Sequence, residues 1–200
     1  MVTIKDVEKE IESVEKETSG ELVPVVAKKS SDYRTVEMIN AFVFAYLFMF
    51  IDFGVHGSLN PLNILFDTVV AVLLIVLLFR FGFFKRILVP KKLMAQKVHS
   101  AAMMSFYRNG VYRTKNKTGI LIYVSLAERM VVVIGDEGIH NKVGDDAWKD
   151  VISIIINGIK TKKVEQGIID GIGSCRNLLK THFPIDKDDK NELHNKVVYE

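Results

Sequence analysis

The pattern of apolar and polar positions separates one strongly apolar stretch, residues 36–84, from flanking segments with the periodicity of a water-soluble domain. Two apolar runs fill this stretch, residues 36–55 and 62–84. Each run is about twenty residues long, enough for a helix to cross a hydrocarbon core of about 30 Å. Only a short segment, HGSLNP, separates the runs. We therefore predict an antiparallel transmembrane hairpin whose two ends leave on the same side of a bilayer.

Before the hairpin, the pattern predicts one helix and one strand. Apolar residues recur at three- and four-residue spacing over residues 4–14, behind Thr3 and a carboxylate that resemble a capping box. We expect this helix to stop near Gly20, because glycine readily takes the left-handed conformation that ends helices. The segment ELVPVVAKK, residues 21–29, then predicts a strand. Pro24 removes one backbone donor, which places this strand toward the rim of its sheet.

After the hairpin, Pro90 marks a boundary and residues 93–110 predict a helix that stops at a glycine. Two segments rich in β-branched residues follow, ILIYVSL and MVVVIGD, separated by a short turn. They predict two adjacent antiparallel strands, and their nearly continuous apolarity indicates that both faces are covered.

The last third of the chain predicts two more helices. Asp145 or Asp146 is expected to cap the first, and residues 164–183 form the second. Cys175 lies on the apolar side of that last helix, where we interpret it as a core residue. The remaining segment, residues 184–200, is polar and predicted to be only partly ordered.

These elements predict the fold class. A strand, a helix and a second strand form a βαβ crossover if the hairpin is an insertion within the connection. We therefore expect an α/β fold with a central mixed sheet flanked by helices and an inserted two-helix transmembrane hairpin. The predicted organisation is a first part of the soluble domain (1–35), the hairpin (36–84), the rest of the domain (85–183) and a polar tail (184–200).

Charge then orients the hairpin. The net charge is only +3, yet residues 80–118 contain ten Lys or Arg and no Asp or Glu. Basic residues also precede the first arm, and none lies in the connecting segment, so the positive-inside rule places both termini in the cytosol. The predicted location is the inner (cytoplasmic) membrane, and the single cysteine fits a reducing compartment.

The basic run itself predicts a contact with the membrane surface. It lacks the interleaved aromatic residues typical of nucleic-acid sites, so the lipid bilayer rather than nucleic acid is the expected partner. The residues closest to the second arm are predicted to contact anionic headgroups: Arg80, Lys85, Arg86, Lys91 and Lys92.

The best candidate for chemistry is an acidic segment just beyond a predicted strand. Four carboxylates fall within eleven residues: Asp136, Glu137, Asp145 and Asp146. Ligands collect at the carboxyl ends of strands in α/β sheets, and clustered carboxylates suit Ca²⁺ or Mg²⁺. Such an ion could also activate water for phosphoryl transfer. The alternative is purely structural, with the aspartates as helix caps and the glycines as turn formers. Phosphate-loop, nucleophile-elbow, HExxH and CxxC motifs are absent from the sequence.

Several segments together resemble the TPM domain family: TSGEL, TGILIYVSLAERMVVVIGDEGIH, Trp148 and FPIDKDDKNEL. The similarity is closest to a bacterial membrane-protein branch in which a hairpin interrupts the domain after its first strand. The resemblance implies an α/β sandwich. It also implies several roles, because some members are associated with acid phosphatase activity, others bind calcium, and others assist membrane complexes. By motif, Asp136 corresponds to the family position at the end of the second hairpin strand, and Asp145 or Asp146 to the acidic residue that opens the next helix.

Two functional hypotheses remain open from the sequence. The first is a membrane-anchored TPM-like module that acts through contacts with a membrane complex, a protein partner or a second copy, with Ca²⁺ or Mg²⁺ on the acidic segment. The second is a metal-assisted phosphatase for phosphate monoesters, in which Asp136 and Asp146 hold the ion. The sequence does not decide whether the protein is an enzyme.

Overall fold

The computed structural model describes residues 2–57, 60–81, 86–185 and 191–200. It contains two compact units, one formed by Met1–Ser30 with Ala95–Glu200 and the other by Ser31–Met94. The first unit is an α/β domain, and the second holds two long apolar helices. Three predicted features lie outside the described residues: the lipid contact Lys85, the end of the second arm at residue 84, and the acidic part of the tail at residues 186–190.

The elements follow one another in an order that agrees with the predicted α/β class. Short 3₁₀ turns at Val111–Arg113 and Asp145–Trp148 precede the second strand and the sixth helix of the sequence of elements that follows. The helices and strands are α1 (Ile4–Glu15), β1 (Glu21–Ala27), α2 (Arg34–His56), α3 (Pro61–Arg80), α4 (Lys91–Arg108), β2 (Gly119–Ser125), β3 (Met130–Gly135), α5 (Glu137–Val143), α6 (Lys149–Lys160), α7 (Val164–His182) and β4 (Val198–Tyr199).

The four strands form a mixed sheet in the order β3-β2-β1-β4. β1 and β2 are parallel and pair along their whole length, from Glu21 opposite Gly119 to Ala27 opposite Ser125. β2 and β3 form the predicted antiparallel pair, and β4 adds two residues parallel to β1. The hairpin and α4 together make the connection between β1 and β2. The predicted fold class is therefore confirmed.

Helices cover the two faces of the sheet unequally. Alternation along β1 sends Leu22 and Val26 to a core shared with α1, α6 and α7, because successive side chains of a strand point to opposite faces. Val23 and Val25 point to a second core, where the covering helix is α4. From here on, the first is called the three-helix face and the second the α4 face.

The second unit is a pair of helices whose large side chains point outward. Phe42, Phe50 and Phe66 are each between 65% and 68% exposed, and the mean hydropathy of the best window is 1.9 in α2 and 2.7 in α3. Both helices are long and apolar enough to cross a membrane by length and composition. Asn60 caps α3 by accepting from the Leu62 N–H at 3.0 Å, and Pro61 takes the first helical position, where a missing donor is harmless.

The structure corrects two expectations near the N-terminus. The capping box is present, since the Thr3 N–H donates to the Asp6 carboxylate at 2.8 Å. However, α1 ends at Glu15, and Gly20 does not take the left-handed conformation. Pro24 lies in β1, an interior strand between β2 and β4, rather than at the rim of the sheet. Its missing donor falls on the side away from β2, where β4 pairs only with Val25 and Val26, so the sheet tolerates it.

Three more expectations change toward the C-terminus. β3 is an edge strand and is mostly only half-buried, so of the two strands predicted to be covered on both faces, β2 is and β3 is not. Asp145 and Asp146 do not cap a helix, because they belong to a 3₁₀ turn that begins after Gly144. The polar tail contributes β4, and the Glu200 N–H donates to the Val26 carbonyl at 3.1 Å. The described part of this tail is therefore integrated into the domain.

Candidate functional sites

The acidic segment begins with a helix cap. Asp136 precedes α5, a short helix that the sequence pattern did not predict, and its Oδ1 accepts from the Glu137 N–H at 2.7 Å. Gly138 allows this helix to approach the loop before β2, because a Cβ there would lie 2.7 Å from the carbonyl oxygens of Asn116 and Lys117. The other carboxylate oxygen of Asp136, Oδ2, is buried without a hydrogen-bond partner.

The remaining carboxylates of this segment do not converge on Asp136. Glu137 is exposed in the first turn of α5, where its negative charge interacts favourably with the helix dipole. Asp146 is exposed and pairs with Lys149 at 2.8 Å, while the side chain of Asp145 lies outside the described residues. Within the described ranges, no three His, Cys, Asp or Glu side chains group in a way that could hold a metal ion. The metal site stays a prediction.

A buried polar cluster ties the end of β1 to the turn between β2 and β3. The Ser30 N–H donates to both oxygens of the Glu128 carboxylate, at 3.3 and 3.2 Å. The Ser30 hydroxyl donates to Ser125 Oγ at 2.8 Å, and the Ser125 hydroxyl donates to Glu128. Glu128 is only 5% exposed. Ser125 and Glu128, the polar residues of the SLAE segment, therefore have a structural role: they hold the turn and the end of β1 together. Periodicity could not reveal it, because the partners are far apart in the chain.

A second polar cluster, with the two carboxylates Glu15 and Glu21, lies where α1 and β1 meet the C-terminal segment. The Glu192 and Leu193 N–H groups donate to the Glu21 carboxylate at 3.0 and 3.3 Å. Glu15 accepts from the Leu22 N–H at 2.8 Å through Oε1, while its Oε2 is buried without a partner. Burial, with a smaller contribution from the charge of Glu21, raises the pKa of Glu15 to about 8 against the opposing effect of the Leu22 hydrogen bond. The GEL segment (residues 20–22) is therefore in direct contact with the NEL segment (residues 191–193).

Cys175 is confirmed as a core residue. It is fully buried, and its thiol donates to the Gly171 carbonyl at 3.3 Å. Burial raises the pKa of this thiol to about 12, so it carries no thiolate at neutral pH and is not a nucleophile.

The predicted membrane-contact residues that the structure describes lie in the last turn of the second apolar helix and after it in the chain. Arg80 is exposed in the last turn of α3, Arg86 is partly exposed, and Lys91 and Lys92 are exposed in the first turn of α4. α4 contains no Asp or Glu along its whole length. The described part of the basic run is therefore open to solvent at these positions.

The fold and its connections define an α/β domain with a mixed sheet whose first crossover contains an inserted helical pair. Residues 86–178 match the family model of the TPM domain. The resemblance noted from the sequence is thus confirmed.

A solved structure shows a similar fold over nearly the whole chain. It is the NMR structure of the BA42 protein from the psychrophilic bacterium Bizionia argentinensis, with a TM-score of 0.61 and 23% sequence identity. The match covers 98% of this chain and 92% of that chain. At this identity the likeness concerns the fold. No curated protein matches the sequence.

Proposed function

We propose that the protein is a membrane-anchored TPM module whose cytosolic α/β domain acts through contacts with a membrane protein or a complex of them. The observation that carries this proposal is the contrast in burial between the two units. Only 6% of the best window of α2 and 17% of that of α3 is buried. The α/β domain, in contrast, has closed cores on both faces of its sheet.

The energetic argument follows from the outward side chains of α2 and α3. A fully exposed large apolar side chain forgoes about 1.5–3 kcal/mol of transfer free energy in water. Patches of this size are not typical of a soluble monomer surface. A helix satisfies its backbone hydrogen bonds internally, so lipid can accept this pair without unpaired polar groups. A bilayer is the environment that suits the second unit.

The polar groups of the helical pair fit the predicted orientation. Asn63 Nδ2 donates to the Asp52 carboxylate at 3.4 Å, close to the connection between the two helices. Asp67 is the seventh residue of α3, which places it about 9 Å along the helix from Pro61. These groups suit the headgroup region on the outer side, while the basic residues after α3 suit the cytosolic side.

Membrane integration and topology are tested together in intact cells. The chain should stay in the membrane fraction after extraction at alkaline pH. In a Cys175→Ser background, Ser58→Cys should react with an impermeant thiol reagent added outside, and the exposed domain position Ser153→Cys should not. Release of the chain by alkali contradicts the anchor, and the reverse labelling pattern contradicts the orientation.

A divalent cation on the acidic segment is the second part of the proposal. What supports it is the density of carboxylates and the unpartnered Asp136 Oδ2. We expect Ca²⁺ or Mg²⁺ to raise the melting temperature of the full chain in detergent. Asp136→Asn, which keeps a good helix cap, should abolish this rise, and the exposed Asp146→Asn should weaken it. Equal melting temperatures with and without either ion contradict the site.

The same preparations test the phosphatase alternative. Turnover of a phosphate monoester that requires Mg²⁺ or Ca²⁺ and is lost in Asp136→Asn would replace the non-enzymatic proposal with the catalytic one. Metal-dependent stabilisation without turnover would instead leave ion binding as the role of the segment.

A further inference from the structure

The outward side of α4 combines apolar, aromatic and basic groups. Met104 and Tyr107 are 64% and 58% exposed, and their spacing of three residues makes them neighbours on the helix surface. Lys97 lies two turns before Met104 on the same side and is also exposed. Elsewhere on α4, Val98 and Ala102 are buried in the core of the α4 face.

The 3₁₀ turn after α4 continues this surface. The rings of Tyr107 and Tyr112 lie 5.6 Å apart, and the Arg113 guanidinium carbon lies 5.6 Å from the centre of the Tyr112 ring. The Lys117 ammonium group donates to the Tyr112 backbone carbonyl at 2.8 Å, which holds a second cation next to this turn. We call this set the α4 docking face: Met104, Tyr107, Tyr112, Arg113 and Lys117.

The α4 docking face has a clear excess of positive charge. Residues 80–118 contain no carboxylate, so the acids near this surface come from elsewhere in the chain. Glu200 pairs with Arg108 at 3.2 Å, and Glu192 accepts from the Lys115 N–H at 2.7 Å. Arg113 and Lys117 are both exposed, so their charges can meet an anion from outside the chain.

We propose that the α4 docking face binds the anionic surface of the bilayer in which the chain is anchored. This rests on the proposed membrane anchor and adds the surface through which the domain contacts the leaflet. Charge complementarity favours anionic lipid: Arg113 and Lys117 meet headgroup phosphates, tyrosine rings suit the interface, and Met104 reaches the acyl boundary. Because the anchor keeps the domain near the leaflet, weak contacts are enough to keep the α4 docking face bound to the lipid surface.

The test uses the full chain in lipid nanodiscs with an environment-sensitive fluorophore on Met104→Cys in a Cys175→Ser background. Discs contain either phosphatidylcholine alone or phosphatidylcholine with phosphatidylglycerol, each with and without lipids that carry a quencher just below the headgroup. We expect strong quenching in the anionic discs, little in the neutral discs, and loss of quenching at high salt. Ser153→Cys, exposed on α6, is the matched control and should stay unquenched in both.

Charge-removing variants sharpen this result. Arg113→Gln should reduce the ratio of docked to undocked label about fivefold, and adding Lys117→Asn should reduce it about fivefold again. Asparagine is chosen because Lys117 has a φ of 56°, a conformation that asparagine tolerates. Lys160→Gln is the charge control and should change nothing.

Three outcomes would overturn the proposal: equal quenching in neutral and anionic discs, equal quenching at positions 104 and 153, or no effect of Arg113→Gln. Failure of the anchor itself gives a different result, because the chain would then not enter nanodiscs at all. The two proposals can therefore fail separately.

Discussion

The three-helix face and the α4 face of the sheet are built on the same strands but are covered in different ways. On the three-helix face, α6 and α7 approach so closely that the glycines of the two helices touch: a Cβ on Gly158 would lie 2.7 Å from the Gly167 Cα. Ion pairs close its outer surface, such as Arg176 with Glu10 at 2.9 Å and Lys180 with Glu17 at 2.9 Å.

In the part of the chain that the structure describes, the α4 face has a single covering helix, whose ion pair is that of Arg108 with Glu200 at 3.2 Å. This helix also carries exposed Met104 and Tyr107, next to basic residues. The difference indicates that the two faces have different roles. The three-helix face provides most of the core, whereas the α4 face completes the core and also presents a surface for contacts.

The largest expected effect comes from Phe106→Ala. Phe106 is 4% exposed and is the largest side chain that α4 contributes to the core of its face. Its loss should lower the free energy of unfolding by about 3–4 kcal/mol, because no second helix can move in to fill the cavity. Urea unfolding in detergent, followed by the fluorescence of the single tryptophan, Trp148, measures this.

The control is the neighbouring residue on the same helix. Tyr107→Ala removes an exposed ring that contacts Phe106 edge to face at 5.7 Å, and should cost about 1 kcal/mol. Trp148 lies in the core of the three-helix face, so a loss detected there shows that both faces unfold together. If Phe106→Ala costs less than about 1 kcal/mol, α4 is not part of the cooperative core.

The second prediction addresses the close contact on the three-helix face. Gly158→Ala should lower the free energy of unfolding by about 2–3 kcal/mol, because the added methyl meets the backbone of Gly167 and cannot be avoided by a side-chain rotation. Gly173→Ala in α7 is the matched control, since its Cβ would meet only the end of the Glu10 side chain at 3.4 Å. That variant should be neutral or stabilising by up to about 1 kcal/mol. The same urea titration compares the two, and equal effects would contradict the packing argument.

Sequence periodicity predicted the elements whose burial is set locally. The inner face of α7, with Ile168, Ile172 and Leu179, follows from three- and four-residue spacing, and the β2–β3 pair follows from two runs of β-branched residues. The sequence pattern did not predict α5, because this helix has only seven residues and one buried apolar side chain, Ile139, which is too little for a periodic signal.

The features that were not predicted depend on contacts between distant parts of the chain. β4 pairs two residues with β1, and the hydrogen bonds from the Glu192 and Leu193 N–H groups to Glu21 exist only once the C-terminal segment has folded back. For the acidic segment, the position of Asp136 at the end of β3 was predicted correctly. Its observed role as the cap of α5 required a helix that the pattern did not reveal.

A third, intermediate effect concerns the pH dependence of stability. The pKa of Glu15, about 8 in the folded protein, lies above the ordinary value of 4.5, so the folded state holds this proton more tightly than the unfolded state. The resulting stabilisation is fully present below pH 4.5 and is lost as the pH rises through about 8. After allowance for partial exposure of the side chain, we expect a loss of about 2 kcal/mol over this range.

Glu15→Gln isolates this contribution. Its side-chain oxygen can still accept from the Leu22 N–H, but it has no proton to lose, so the variant should be less sensitive to pH between 5 and 8 by the amount that Glu15 contributes. Glu12→Gln, an exposed change on the same helix, removes only the smallest contribution to the raised pKa of Glu15 and should therefore alter the pH dependence far less. Urea unfolding at several pH values measures the slope, and identical slopes for the parent and Glu15→Gln would contradict the raised pKa of Glu15.

The smallest expected effect on stability is the one that bears most directly on the α4 face. Met104→Ser removes an exposed apolar group that contributes little to the core, so the free energy of unfolding in detergent should change by less than about 0.5 kcal/mol. If the side chain instead packs against the domain in solution, its removal should cost about 1 kcal/mol or more, as buried methionines do. A neutral result means that folding does not account for the exposed methionine, and that the outer side of α4 is free to serve contacts outside the domain.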